Sequence, residues 1–70
     1  MNNTLDTRYG QIQSGTRVVV QGGFGTEPPC TVTVEDVSED IKNGRPGFIY
    51  TQGQLQRWAY TTQIVKILKN

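Results

Sequence analysis

Apolar and polar residues alternate over short runs of the chain, with the two-residue period of β-strands. The alternation is clearest at residues 31–37 (TVTVEDV), where Val32 and Val34 fall on one face and the threonines on the other. No segment has the three- and four-residue apolar spacing that an amphipathic helix of ten or more residues requires. The pattern therefore predicts an all-β protein.

Turn signals divide the chain into strands. The Asn-Gly pair at 43–44 favours a two-residue type I′ hairpin, because both of its positions need positive φ. The Gln-Gly pair at 52–53 predicts a second tight turn, which would place Tyr50 opposite Leu55. The strands are predicted at residues 16–21, 31–37 with a continuation at 38–42, 45–51, 55–59 and 64–68.

Three irregularities are predicted within this series. The alternation slips at residues 35–36 (Glu-Asp), where a β-bulge would keep the apolar residues on one face. Pro46 has no N–H to donate and indicates a strand edge or a bulge. Residues 60–63 (YTTQ) are too few for an α-helix and suffice for one 3₁₀ turn.

The order of these elements resembles the layout of an SH3-like small barrel. Residues 57–67 (RWAYTTQIVKI) are similar to the section of that architecture in which a 3₁₀ turn joins the last two strands. Residues 15–20 (GTRVVV) are similar to its first strand. The resemblance covers residues 15–68 and concerns architecture alone, so it implies a fold and leaves the function open.

We therefore expect an all-β fold, an SH3-like barrel of about five antiparallel strands with one 3₁₀ turn before the last strand. This single domain would occupy residues 15–70. Residues 1–14 would form an N-terminal arm that is flexible or adds an edge strand. An OB-like barrel is the alternative, because it has a similar number of strands.

Composition removes several classes of function. The chain has 70 residues, no histidine, one cysteine and a formal net charge of +1. Without histidine, a small domain has few side chains suited to acid–base catalysis at neutral pH. Many nucleic-acid-binding proteins are strongly basic, whereas this chain is nearly neutral. A lone Cys30 can build neither a disulfide framework nor a zinc site. We expect no enzymatic activity, no cofactor and no metal.

The N-terminal residues and the apolar runs bear on location. The first residues have neither the basic region nor the apolar run of a signal peptide, and no apolar run approaches the ~20 residues that cross a bilayer. We expect a cytoplasmic protein without membrane contact. A small barrel of this kind is typical of bacterial or phage accessory proteins.

The segment 21–29 (QGGFGTEPP) is the most unusual part of the chain. Its glycines are not followed by the Lys-Ser/Thr pair and helix of a phosphate-binding loop. Phe24 instead lies between flexible glycines and a stiff proline pair, which favours an exposed anchor for a protein partner. The predicted partner-binding residues are Phe24, Glu27, Pro28 and Tyr60.

The last predicted strand, residues 64–68 (IVKIL), has bulky apolar side chains on both faces. Simple alternation puts Ile64 and Leu68 on one side and the other two apolar residues on the opposite side. One face needs a cover, which is expected from the N-terminal arm, a second copy of the chain or a partner protein; for a second copy, Ile64 and Leu68 are the candidates for a self-interface. Protein–protein interaction or assembly is therefore the favoured function.

Nucleic-acid binding is the alternative, because basic and aromatic residues adjoin each other and small barrels can stack bases on such pairs. We expect Phe48 and Trp58 in the core, so that Trp58→Ala would unfold the domain, and we expect Tyr50 and Tyr60 to be exposed. The candidate residues for this alternative are Arg8, Tyr9, Lys42, Arg45, Tyr50 and Arg57.

Overall fold

The structure is a computed structural model that describes residues 4–68. Most of these residues lie in strands, whose bounds are β1 Thr4–Thr7, β2 Gly10–Gln13, β3 Arg17–Val20, β4 Cys30–Lys42, β5 Arg45–Gln52, β6 Leu55–Tyr60 and β7 Ile64–Leu68. A four-residue helical turn covers Gly22–Gly25, and a 3₁₀ turn covers Thr61–Gln63 between β6 and β7. The predicted all-β class and the 3₁₀ turn before the last strand are confirmed.

The strands form two antiparallel sheets. The hairpin β1–β2 is a sheet of its own, and the other five strands pair in the order β6-β5-β4-β3-β7. Among residues 4–68, the outer strands β6 and β7 are not neighbours in a hydrogen-bonded ladder. The SH3-like barrel therefore stays a prediction, whereas the antiparallel five-stranded sheet is a property of the structure.

Strand β4 bends at the predicted bulge. Val34 pairs with Tyr50, and Asp36 pairs with the preceding residue Ile49, so Glu35 is an extra residue on β4. A second irregularity lies further along β4, opposite Pro46. Since proline cannot donate to the ladder, the pairing is broken where the sequence predicted it would be.

The two hairpin turns differ in how well the sequence specified them. Asn43 and Gly44 have φ of 58° and 73°, as the predicted type I′ turn requires. In the second turn, Gln52 pairs with Leu55, so the loop residues lie one position later than expected. Tyr50 consequently faces Arg57 rather than Leu55, and the predicted register of this hairpin is wrong by two residues.

The core is filled by the inward faces of the five-stranded sheet and by the N-terminal hairpin. Leu5 of β1 and Ile12 of β2, which are 6% and 0% exposed, pack into it. The remaining buried apolar residues are Val18, Val20, Val32, Val34, Val37, Phe48, Tyr50, Ala59 and Ile64. Residues 4–13 thus take part in the single hydrophobic core of the described chain.

The expectation that Trp58 belongs to the core is wrong. On β6 the inward position belongs to its neighbour Ala59, which is fully buried directly opposite Phe48. The Phe48 ring occupies the inward space beside position 59, where only a small residue fits. Because neighbouring residues of a strand point to opposite faces, Trp58 lies on the outer face opposite Ile49 and is half-buried. The predicted exposure of Tyr50 is also wrong, since its side chain is 1% exposed inside the core.

Strand β7 does not follow simple alternation. Val20 pairs with Ile64 and Val19 with Lys66, so the ladder between β3 and β7 contains a one-residue shift at Val65. The bulge places Ile64 in the core, 3% exposed. Ile64 is therefore not available for a self-interface, and it does not share a face with the half-buried Leu68.

Candidate functional site: an aromatic and basic surface

The helical turn after β3 presents Phe24 in a strained backbone conformation. Gly23 and Phe24 have φ of 60° and 58°, in the left-handed region that costs a non-glycine residue roughly 1–2 kcal/mol. The turn is closed by Thr26, whose hydroxyl and amide both donate to the carbonyl of Gly23 at 2.6 and 3.2 Å. Phe24 is 71% exposed in this conformation.

Phe24 is not isolated, because its ring meets two aromatic residues of the outer sheet face. Its ring centroid lies 5.9 Å from that of Trp58, edge to face, and 6.2 Å from that of Tyr60. Trp58 and Tyr60 are themselves 5.1 Å apart, again edge to face. These separations are those of favourable aromatic pairs, and we call Phe24, Trp58 and Tyr60 the aromatic surface.

Two cations border the aromatic surface. Lys42 and Arg45 pair with each other across the ends of β4 and β5, so the hairpin turn brings both to the outer face. Lys42 Nζ lies 5.4 Å from the ring centroid of Trp58, and Arg45 Cζ lies 4.5 Å from that of Tyr60. Both distances fall within the range of cation–π attraction.

The loop is fastened beneath Phe24 by an ion pair between Glu27 and Arg57, which we call the Glu27–Arg57 pair. The guanidinium Nη1 and Nη2 donate to the two carboxylate oxygens at 3.0 and 2.7 Å, and Nη1 also donates to Gln52 Oε1 at 2.7 Å. These hydrogen bonds hold the pKa of the Glu27 carboxyl below its ordinary value and raise the pKa of Arg57. Both side chains are charged at neutral pH.

The buried side of the loop rests on the same pair. A Cβ placed on Gly22 would come within 3.2 Å of Arg57 Nη2 and 3.3 Å of the Tyr50 hydroxyl, so the loop backbone lies close against both residues. Burial raises the pKa of the Tyr50 phenol, which keeps it protonated. The loop backbone at Gly22 therefore packs directly against the Glu27–Arg57 pair.

The Glu27–Arg57 pair predicts an acid limb in stability. Since the pKa of Glu27 is lower folded than unfolded, the unfolded chain binds more protons as the pH falls, and acid favours unfolding. The stabilisation of the folded state by the ion pair should be complete above about pH 5 and decline below about pH 4. Urea unfolding of wild type and Glu27→Gln across this range should give midpoints that differ at neutral pH and converge in acid. Midpoints that diverge in acid would contradict the assignment.

A shallow pocket opens between the loop and β6. Its volume is about 280 Å³, and its lining residues are Gly23, Phe24, Gln56, Arg57, Trp58 and Gln63. Gln63 fixes one wall, because its side chain accepts from the Tyr60 amide at 2.9 Å and donates to the Gln21 carbonyl at 2.8 Å. The pocket is thus a preformed recess beside the exposed Phe24 ring.

The structure brings together some predicted site residues and separates others. Phe24 and Tyr60 lie side by side in the aromatic surface, and Pro28 is exposed in the same loop. Glu27, predicted to contact a partner, forms an ion pair with Arg57, and its role in partner binding stays a prediction.

The nucleic-acid candidates are divided in the same way. Lys42 and Arg45 border the aromatic surface, whereas Arg8 and Tyr9 form the β1–β2 turn, where Arg8 Cζ lies 5.9 Å from the Tyr9 ring centroid. Tyr50 lies in the core.

Sequence reasoning missed Trp58 as a member of the surface. The signal was present, since strand alternation puts Trp58 and Tyr60 on the face opposite Ala59. What the sequence did not show is which of the two faces would be covered.

The fold and this surface define the class of molecule: a small all-β domain with an exposed aromatic surface bordered by cations. Comparison of the chain with protein families, curated proteins and solved structures finds no match. Across residues 4–68, no helix has the length and apolar character needed to span a bilayer, and no three acidic, cysteine or histidine side chains gather as a metal site would require.

Proposed function

We propose that this protein is a non-catalytic binding module that takes a protein partner on its aromatic surface. The observation that carries the proposal is the presentation of Phe24, 71% exposed in a left-handed turn that two hydrogen bonds and an ion pair hold in place. Strain of this kind persists where the surroundings over-determine it, and it is concentrated at binding sites. The residues with the largest share of binding energy in protein interfaces are enriched in Trp, Tyr and Arg, and Phe24 adjoins Trp58 and Tyr60, which Arg45 borders.

The module would act in the cytoplasm, where an unpaired Cys30 stays reduced. Self-association remains a second form of the proposal. Its candidates are Leu68 and the exposed Val65 of β7, because Ile64 is in the core.

Nucleic acid is the weaker alternative for this surface. Bases stack on free ring faces, and here Lys42 and Arg45 already lie over the rings of Trp58 and Tyr60. The guanidinium of Arg57 is held by Glu27, and the net charge is +1. Phosphate contacts supply most of the affinity of such complexes, so two cations would give little.

The test is quantitative capture of partners from a lysate of the source organism with immobilised wild type and Phe24→Ala. Loss of an aromatic hot-spot side chain costs about 2 kcal/mol or more, so partner recovery should fall by an order of magnitude at limiting concentration. Phe24→Ala should remain folded, because the ring is mostly exposed.

Leu55→Ala is the matched control, since Leu55 is a large apolar residue of similar exposure, 69%, at the start of β6. Partners recovered by wild type and Leu55→Ala alike, and lost with Phe24→Ala, would support the proposal. Recovery that is equal for all three, or recovery of nucleic acid that falls steeply with salt, would contradict it.

A further inference from the structure

We infer that the partner segment is an acidic peptide with one apolar anchor residue, whose carboxylates meet Lys42 and Arg45 while the anchor enters the recess beside Phe24. The inference rests on the proposed function, because it names the chemistry of the partner for the same aromatic surface. It follows from how charge is distributed around that surface.

Lys42 and Arg45 are not neutralised within the described chain. Among residues 4–68 the ion pair present is that of Glu27 with Arg57, and no carboxylate lies within 4.0 Å of either Lys42 or Arg45. The carboxylate of Asp40, on the same hairpin, accepts a hydrogen bond from the Gly44 amide at 2.7 Å instead. Two neighbouring cations that form no ion pair favour an anionic partner.

The charge also has a direction across the outer face. Asp36 faces Ile49, which in turn faces Trp58, so a carboxylate occupies the side of the sheet away from β6. Glu35, the residue before Asp36 on β4, accepts a hydrogen bond from the Thr51 hydroxyl. An acidic segment is therefore attracted to the hairpin end of the aromatic surface and repelled from the middle of β4.

The recess sets the size of the anchor. Its volume of about 280 Å³ lies below the ~300–1,000 Å³ typical of small-molecule sites and suits one side chain, and the Phe24 and Trp58 rings in its lining favour an apolar one. Since an extended peptide advances ~3.3 Å per residue, an acidic residue two or three positions from the anchor would reach the cations. The Arg45 guanidinium stands 4.5 Å from the Tyr60 ring, which itself adjoins Phe24.

Binding peptides are selected from a random library displayed on yeast, with the immobilised full chain as the target. Peptides are kept only when they bind wild type and fail to bind Phe24→Ala. The expected sequences have Asp or Glu within three positions of a Leu, Ile, Phe or Trp. A synthetic peptide from the enriched set then serves as the probe in fluorescence polarisation.

With that probe, the double variant Lys42→Gln and Arg45→Gln should bind roughly fivefold more weakly, as expected for the loss of two exposed charge pairs. The matched control is Arg8→Gln, which removes a cation that also borders an aromatic ring, Tyr9, in another turn. Its affinity for the probe should equal that of wild type. Thermal unfolding of each variant verifies that it is folded.

The outcomes separate the two proposals. Phe24-dependent peptides that lack acidic residues, or that bind the double variant as tightly as wild type, would overturn the acidic-partner inference and leave the binding module intact. A library that yields no Phe24-dependent peptide would overturn both, and tight, salt-sensitive binding of oligothymidylate would then assign the surface to nucleic acid.

Discussion

Replacing Phe48 by alanine should leave the protein largely unfolded. Phe48 is fully buried at the centre of the sheet, opposite Ala59 and with its ring centroid 5.7 Å from that of Tyr50. Truncating a buried phenylalanine costs about 3–5 kcal/mol, and a core in a chain this short supplies no more than about 3–5 kcal/mol in total. Circular dichroism and urea unfolding should show loss of the cooperative transition.

Trp58→Ala is the informative control for Phe48→Ala. Trp58 has the larger side chain, yet it lies half-buried on the outer face, so its loss should cost only about 1–2 kcal/mol and leave a cooperative transition. The sequence alone predicted the opposite result for Trp58. If Trp58→Ala unfolds the protein as completely as Phe48→Ala, the assignment of the two faces of β6 is wrong.

Ile12→Ala should destabilise the protein by about 2–5 kcal/mol, the cost of emptying a fully buried aliphatic site. Ile12 is 0% exposed although it belongs to the small separate sheet β1–β2, where it pairs with Leu5. The hairpin thus covers core surface that the five-stranded sheet alone would leave open to water. Urea unfolding followed by tryptophan fluorescence should show a single transition at a much lower midpoint for a cost of about 2 kcal/mol, and little folded protein even without urea for a cost of about 5 kcal/mol.

Gln13→Ala is the control for Ile12→Ala, because it changes β2 without removing a buried side chain. Gln13 is the next residue of β2, and its side chain is exposed. Its replacement should change the unfolding free energy by less than about 0.5 kcal/mol. A two-step transition for Ile12→Ala, in which the hairpin detaches while the sheet stays folded, would show that residues 4–13 are dispensable for the core.

The residues that form turns were the most reliable basis for predicting local structure from the sequence. The Asn-Gly pair at 43–44 fixed the hairpin of β4 and β5, because the preference for positive φ is a property of those residues themselves. The bulge at Glu35 was predicted equally well, since a break in the apolar–polar alternation requires an extra residue in the strand. The Gln-Gly pair at 52–53 fixed its turn less tightly, and the register of β5 and β6 came out two residues away.

Only part of the candidate site was predicted from the sequence. The glycine and proline frame around Phe24 indicated a presented aromatic residue, because those residues constrain the backbone locally. The Glu27–Arg57 pair joins residues thirty positions apart, and Lys42 reaches Trp58 through a hairpin bend. Contacts of that kind depend on how two strands and a loop come together, which local pattern does not encode.

The sequence by itself determined the all-β class, the turn at 43–44, the bulge in β4 and the 3₁₀ turn before β7, all consequences of two-residue periodicity and local backbone preference. Only the tertiary structure decided which faces are covered. The bulge at Val65 places Ile64 in the core. Phe48 and Tyr50 are buried, whereas Trp58 lies on the outer face. Alternation divides a strand into two faces, and long-range packing chooses which of them is the inside.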